Sequence, residues 1–352
     1  MMSIKNRIAI LVSSLKTGGA EVIAVETANF LSQYYEVIVI SCFLEHDNNQ
    51  DNNKNSSLHN ALSSDVRLIY LSNKKALQYS FDHYTDQLRK VIKKEKINTL
   101  ITTGIVTDMV ASELPYKNFK WISILHASYN LFERGSDQRN AAQKTYHLTD
   151  KIIYLNESQL DTYEYKKEKT VKINNFSSRK AVTNKKFDKF TFCVASRAIE
   201  DKGWDKIFDA TVNLIEAGHD INIVFVGDGP TYLSLKNKNS HQNINFAGFC
   251  TKPELIISKS HVGVLVSKDE QQPLSIIDYI NHGIPVITSS IRSCKDMISS
   301  KDSRTCGIVV DYGDIEQLQC AMISLSTDEN LYNRCVNTCL LYTSPSPRDV
   351  EE

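Results

Sequence analysis

Patterned cysteine is the first thing this chain lacks. Its eight cysteines, Cys42, Cys193, Cys250, Cys294 and Cys306 among them, are scattered, with no C-x-x-C and no Cys/His ligand spacing. That excludes a zinc module or a disulfide scaffold and leaves reduced, mostly buried small side chains. An excess of charge of one sign is missing too: Lys+Arg and Asp+Glu are both 41, so no global basic field attracts nucleic acid and no acidic tail solvates the chain. No run approaches the roughly 20 apolar residues a membrane span requires, and "MMSIKNRIAILVSS" at the start is only a short apolar stretch. A cytoplasmic protein with at most peripheral membrane attachment is expected. Gly and Pro are few, 13 and 7, against 41% hydrophobic residues, which argues for a folded chain over a disordered one. Also missing are D-x-D, GxxxxGK[ST] and GxGxxG, so neither a metal-bridged diphosphate site nor a P-loop is indicated.

What is present is an alternation. "RIAILVS" is strand-like, "GGAEVIAVETANFLSQ" carries apolar residues at helical spacing, and "YEVIVISC" returns to strand. Such a βαβ opening calls for a parallel sheet covered by helices. "VRLIYL", "INTLITT", "WISILH" and "KIIYLN" continue the strand series, and the Asn-rich residues 45–60 read as a surface loop. At 352 residues two domains are expected. The polar, basic stretch 176–189 separates a second strand–helix series: "FTFCVAS", "INIVFVG", "NINFAG", "HVGVLV", a helix over 274–281, "PVITS" and "CGIVV". The expected boundaries are a first domain over 1–178, a linker over 179–189 and a second domain over 190–335. Ligands of such sheets gather at the C-terminal ends of strands, so the residues just after strands are the candidates.

Gly18 and Gly19 separate the first strand from its helix, where glycine lets a ligand approach backbone and helix-end amides favour an anion; an ordinary turn would look the same. Arg197 and Lys202 follow "FTFCVAS" and could converge on a diphosphate, Arg as a planar fork and Lys as a point charge, or form a solvated basic loop. Gly227 and Gly229 in "VGDGP" either expose amides or turn the chain. In "EQQPLSIIDYINHG", Glu270 projects from a loop, Pro273 suits the first helical turn, Leu274 opens the helix, and Asp278 falls near the same side as Glu270. The two acids either reach one elongated ligand, or are an acid at a helix start and a solvated Asp on the polar side.

Taken together, "TGGAE", "SRAIEDKG", "VGDGP" and "SKDEQQPLSIIDYINHGIPVITS" resemble, in order and spacing over roughly residues 5 to 330, the signature series of the family 4 retaining glycosyltransferases (glycosyltransferase group 1). The resemblance implies the GT-B fold, α/β with two Rossmann-like parallel-sheet domains facing across a cleft. It implies that Arg197 and Lys202 hold the donor diphosphate and that Glu270, the first acid of the E-x7-E element, contacts donor-sugar hydroxyls. Asp278 stands where the family usually has Glu and would contact the ribose. Gly227, Gly229 and Leu274 are further nucleotide-side positions, and Gly18 and Gly19 approach the donor phosphate from the first domain. His126, after "WISIL", matches a His near the donor sugar, though a lone His is also an ordinary structural residue. Asn175 matches an Asn near the interdomain hinge. Gln271 and Gln272 depart from the pattern, where the family places Gly and then an aromatic or aliphatic residue.

The reaction so implied moves a sugar, with retention, from a nucleoside-diphosphate sugar, UDP-linked by expectation, to a hydroxyl of a glycan or polyprenyl-linked lipid acceptor. No cofactor, metal or nucleic acid takes part. A bacterial surface polysaccharide or glycolipid is the expected product. A nucleotide-sugar 2-epimerase of the same fold and a catalytically weak nucleotide-sugar-binding partner subunit are the alternatives. The closing "LLYTSPSPRD", 340–349, resembles translated sequencing-adapter read-through and is expected to be a non-native, non-helical tail.

Overall fold

The computed structural model describes residues 6–16, 18–43, 58–73, 80–115, 118–126, 143–160, 167–177, 179, 181–299 and 303–343. The chain divides into two compact units, Met1–Asn175 and Phe176–Glu352.

The first unit is built on a seven-stranded sheet ordered β3-β2-β1-β4-β5-β6-β7, with every pairing parallel. Its strands are β1 (Arg7–Val12), β2 (Glu36–Ser41), β3 (Arg67–Tyr70), β4 (Thr99–Thr103), β5 (Lys120–Ile124), β6 (Lys151–Tyr154) and β7 (Thr170–Lys172). β1 and β2 are buried on both faces, which is why they read as continuous apolar runs without alternation. Ile8, Ile10 and Val12 pack with Ala24, Val25 and Ala28 of the helix Gly19–Leu31, while Ala9 and Leu11 pack with Tyr84, Leu88 and Ile92 of the helix Phe81–Glu95. Successive residues of one strand thus feed two cores, one on each face. β7 was not among the expected strands: it has three residues, its middle Val171 is exposed, and it offers no apolar run to read. Of the expected Asn-rich loop, residues 45–57 lie outside the described residues, and Leu58–Ala61 forms a 3₁₀ turn.

The second unit repeats the plan with six parallel strands ordered β10-β9-β8-β11-β12-β13. These are β8 (Thr191–Ala195), β9 (Asn222–Val226), β10 (Ile244–Gly248), β11 (Val262–Leu265), β12 (Val286–Ser289) and β13 (Gly307–Val310). Phe192, Val194, Phe225 and Val264 face the helices Trp204–Glu216 and Ile315–Thr327, and Cys193, Val224 and Leu265 face Leu274–Asn281. The expected helix over 274–281 forms with those bounds, but Pro273 is its N-cap in an extended conformation and not part of its first turn.

The polar segment expected as a linker is fastened to the second unit. Asn184 Nδ2 donates to Ser258 Oγ at 2.8 Å, Lys186 Nζ to the Ser260 carbonyl at 2.6 Å, and the Phe187 amide to the Lys259 carbonyl at 2.8 Å. Leu340–Thr343, expected to begin a non-helical tail, form the last turn of the helix Glu329–Thr343. Pro345 and Pro347 come too late in the chain to break it there, and residues 344–352 lie outside the described residues. Among the described residues, no helix is long and apolar enough to cross a membrane.

Candidate functional site

In each sheet the strand order reverses direction once, between β1 and β4 in the first unit and between β8 and β11 in the second. Chains leave the C-terminal ends of two such strands toward opposite sides, and the crevice between them is where an open parallel sheet can admit a ligand. In the second unit the loop after β8 carries Arg197 and Lys202, and the loop after β11 carries Glu270.

The crevice is held open by one side chain. β8 and β11 pair only through Val262 with Phe192 and Gly263 with Cys193. Beyond that point Tyr279, fully buried on the helix Leu274–Asn281, takes over the strand's polar groups: its phenol donates to the Cys193 carbonyl at 3.1 Å and accepts from the Ala195 amide at 2.8 Å. Its ring lies flat enough on Gly263 that a Cβ there would come within 2.3 Å of ring carbons. Burial raises the phenol well above its ordinary pKa of 10, so it keeps the proton it donates.

The two loops then meet. The Lys268 amide donates to the Asp201 carbonyl at 2.8 Å, and Lys202 Nζ forms an ion pair with Glu270 Oε1. Both side chains are mostly shielded, 16% and 11% exposed, so the pair is a partly desolvated one with strong mutual dependence. Glu270 is fixed further by Ser267 Oγ, which donates to its Oε1 at 3.0 Å, and by Ser293 Oγ, which donates to its backbone carbonyl at 2.7 Å. Arg197 is exposed and, among the described residues, in no ion pair. Glu270 thus pairs with Lys202, while the Arg197 guanidinium stays exposed to solvent.

Gly227 and Gly229, with φ of +143° and +150°, lie in the turn between β9 and its following helix. A Cβ on Gly227 would sit 1.9 Å from the Ser196 carbonyl oxygen and one on Gly229 2.5 Å from that of Ala198. The β9 loop is therefore pressed against the β8 loop, and two backbone bonds lock it there: Ala198 amide to Asp228 carbonyl at 2.9 Å and Thr231 amide to Ala198 carbonyl at 3.0 Å. Trp204 Nε1 donates to Ser196 Oγ at 2.8 Å and anchors the loop to the core below. Leu274 is the first residue of its helix and half-buried.

Asp278 is buried, 2% exposed, which removes the reading of a solvated Asp on a polar face. Its Oδ1 accepts from Ser177 Oγ at 2.7 Å and its Oδ2 is ion-paired with Arg179 Nη1. Asp278 and Glu270 thus share a unit but not a partner.

Gly18, Gly19 and His126 belong to the first unit. Gly18 is the extended N-cap of the helix Gly19–Leu31 after β1, and a Cβ on Gly19 would meet nothing within 4 Å. His126 follows the end of β5. Burial lowers it to about 4, so the imidazole is neutral at physiological pH, and among the described residues its Nε2 has no hydrogen-bond partner. The strand end that carries it is pinned by Gln159, whose Nε2 donates to the Leu125 carbonyl at 2.8 Å while its Oε1 accepts from the Leu155 amide at 2.7 Å.

Sequence reasoning missed Tyr279, Ser293, Gln159 and Arg179. Tyr279 stands in a recognised helix, one residue beyond Asp278, with no motif to single it out. Arg179 falls in the polar, basic stretch read as a linker. Nothing in the sequence marks Ser293.

Comparison with known proteins bears on the second unit and on the fold. Residues 175–339 match the family model for glycosyl transferases group 1. That segment holds every candidate of the second unit and, of the first, only Asn175. No curated protein sequence is a significant match to the chain. Among solved structures, Anabaena HepE in complex with UDP and glucose superposes with a TM-score of 0.77 at 14% identity, covering 96% of this chain and 94% of that one. Sucrose-phosphate synthase from Thermosynechococcus elongatus gives 0.74 at 15%, covering 96% and 94%. WaaG, described as a glycosyltransferase involved in lipopolysaccharide biosynthesis, gives 0.75 at 15%, covering 97% and 96%. The fold of the chain is GT-B, with two Rossmann-like parallel-sheet domains.

Proposed function

We propose that this protein is a retaining glycosyltransferase that takes a sugar from a nucleoside-diphosphate donor, UDP-linked in the first instance, and places it on a hydroxyl of a glycan or lipid-linked acceptor. The observation that carries the reading is the Lys202–Glu270 pair at the switch point of the second sheet, with Arg197 open beside it. HepE, described with UDP and glucose, and WaaG, described in lipopolysaccharide synthesis, lend the donor and acceptor classes by likeness of fold.

In this reading the diphosphate settles over the β8 loop, against Arg197 and Lys202, and draws the Lys202 ammonium away from Glu270. Glu270, still fixed by Ser267 and Ser293, then accepts hydrogen bonds from hydroxyls of the donor sugar. As the bond between the anomeric carbon and the phosphate oxygen breaks, negative charge gathers on the leaving diphosphate, where two preset cations stabilise it most. The acceptor oxygen bonds to the same face of the sugar and gives its proton to the departing phosphate oxygen, so no protein nucleophile is required. His126 is the first unit's candidate for hydrogen bonding to a hydroxyl and, being neutral, carries no charge. Asp278 takes the ribose hydroxyls, and Gly227, Gly229 and Leu274 bound the nucleotide.

The test is mass-spectrometric donor turnover over a panel of nucleoside-diphosphate sugars with membrane glycolipid extracts, comparing the native protein with K202A and E270A. Acceptor-dependent nucleotide release with a sugar-mass increment, reduced about 100-fold or more in both variants, is expected. Interconversion of the donor sugar would replace the reading with an epimerase, and donor binding without turnover would replace it with a binding subunit.

A further inference from the structure

Arg179 is ion-paired with two carboxylates and hydrogen-bonded to one. Its Nη1 holds Asp278 Oδ2, while its Nε lies 3.9 Å from Glu254 Oε2 on the neighbouring short helix Glu254–Ile257. That Glu254 oxygen is buried and, among the described residues, accepts no hydrogen bond. A buried acceptor left unmade is costly, and a guanidinium with five donors in a fixed fork is the group best able to relieve it. Exposure ranks the three side chains: Asp278 3%, Glu254 17%, Arg179 27%. Arg179 is the most exposed of the three and lies on Asp278 Oδ2, and a small swing of its fork toward Glu254 frees that oxygen while satisfying the other carboxylate.

We propose that Arg179 and Glu254 are positioning residues of the nucleotide site: Arg179 caps Asp278 in the free protein and passes to Glu254 when a ribonucleotide arrives, leaving Asp278 to accept from the vicinal hydroxyls of the ribose. This rests on the donor reading above, in which Asp278 meets the ribose. Two arrangements of one side chain, each satisfying one acid of a pair, form a two-state element that a ligand biases by its differential affinity. The ligand that selects the open state must donate a hydrogen bond to Oδ2 in place of Nη1; a ribose hydroxyl does so and a fully ionised diphosphate does not. Ser177 Oγ, at 2.7 Å from Oδ1, stays in place in both states and keeps the carboxylate aimed.

The sign of one mutation separates this from a fixed structural anchor. An anchor predicts that losing Arg179 weakens nucleotide binding or leaves it alone; a cap predicts that binding tightens, because affinity is reduced by the fraction of time the site is covered. The experiment is calorimetric titration of the full chain with UDP, GDP, CDP and ADP, and separately with inorganic pyrophosphate. In R179Q the best-bound nucleoside diphosphate is expected to bind about tenfold more tightly, with pyrophosphate unchanged. E254Q keeps the Arg179–Asp278 pair and removes the waiting charge, so nucleotide binding is expected to weaken severalfold and pyrophosphate binding to hold. That variant decides the matter even where R179Q fails to fold. The double variant is expected to match R179Q alone, the non-additivity that a shared partner produces. Nucleotide binding unchanged or weakened in folded R179Q, unchanged in E254Q, or shifts that pyrophosphate shares would overturn the cap. Were K202A to abolish nucleotide binding while R179Q and E254Q changed nothing, the cap alone would fall. Binding of no nucleoside diphosphate to the native protein would remove the donor reading and the cap together.

Discussion

At Gly227 the backbone conformation and the neighbouring chain act together. Its φ of +143° is open to glycine and strained for other residues, and the Ser196 carbonyl occupies the place of a Cβ at 1.9 Å. G227A is expected to cost about 2 kcal/mol or more in urea unfolding and to displace the β8 loop, lowering nucleotide affinity as well. His126 gives a pH signature. Its pKa in the folded protein, about 4, lies below the ordinary 6.5, so between those values the unfolded chain binds a proton that the native protein refuses. Stability of the first unit is therefore undiminished above about pH 6.5 and falls as pH drops toward 4, by on the order of 3 kcal/mol. H126Q is expected to flatten that slope in unfolding measured across the range, and a slope unchanged by the substitution would refute the assignment. The motif residues were legible in sequence because strand, glycine turn and helix start fix where a side chain can stand. Their partners were not: Lys202 meets Glu270 and Asp278 meets Arg179 across 68 and 99 residues. Nothing local records such distances.

The helix Leu274–Asn281 illustrates the same division for an element. Its bounds follow from Pro273, an apolar run and a terminating Gly283, all readable in sequence. Its job does not, because Tyr279 bonds to backbone atoms of β8, more than eighty residues earlier in the chain. Y279F keeps the ring on Gly263 but leaves the Cys193 carbonyl and Ala195 amide without their partner, a cost of about 1–3 kcal/mol. β8 and β11 would then be free to close, and donor affinity is expected to fall with stability. Equilibrium unfolding and nucleotide titration on the same preparation check both. The central strands were read correctly because they are buried on both faces. β7, short and half wet, was missed for the opposite reason, and the helix Glu329–Thr343 outran the expected tail because composition near the prolines said nothing about the turn before them.

Over the whole molecule, each unit carries its own core and one fully buried tryptophan, Trp121 in the first and Trp204 in the second. They are the only two in the chain, so W204F reports the first unit by fluorescence and W121F the second. Unfolding in urea is expected to give different midpoints for the two reporters, and Y279F to shift only the Trp204 signal. Coincident midpoints moving together would mean that the two cores melt as one.

The all-parallel order of the second sheet also sets a timetable. β8 lies at its centre, yet its partner β11 is synthesised about 70 residues later, since Phe192 pairs with Val262. At roughly 5–20 residues per second a ribosome leaves one edge of β8 bare for about 4 to 14 s. During that interval the apolar strand "TFCVA" is a template for any passing chain, and the Tyr279 phenol that later occupies its carbonyl has not yet been made. Yield in a cell should therefore depend on chaperones that bind nascent chains, and slowing translation should lower it even though the finished protein is unchanged.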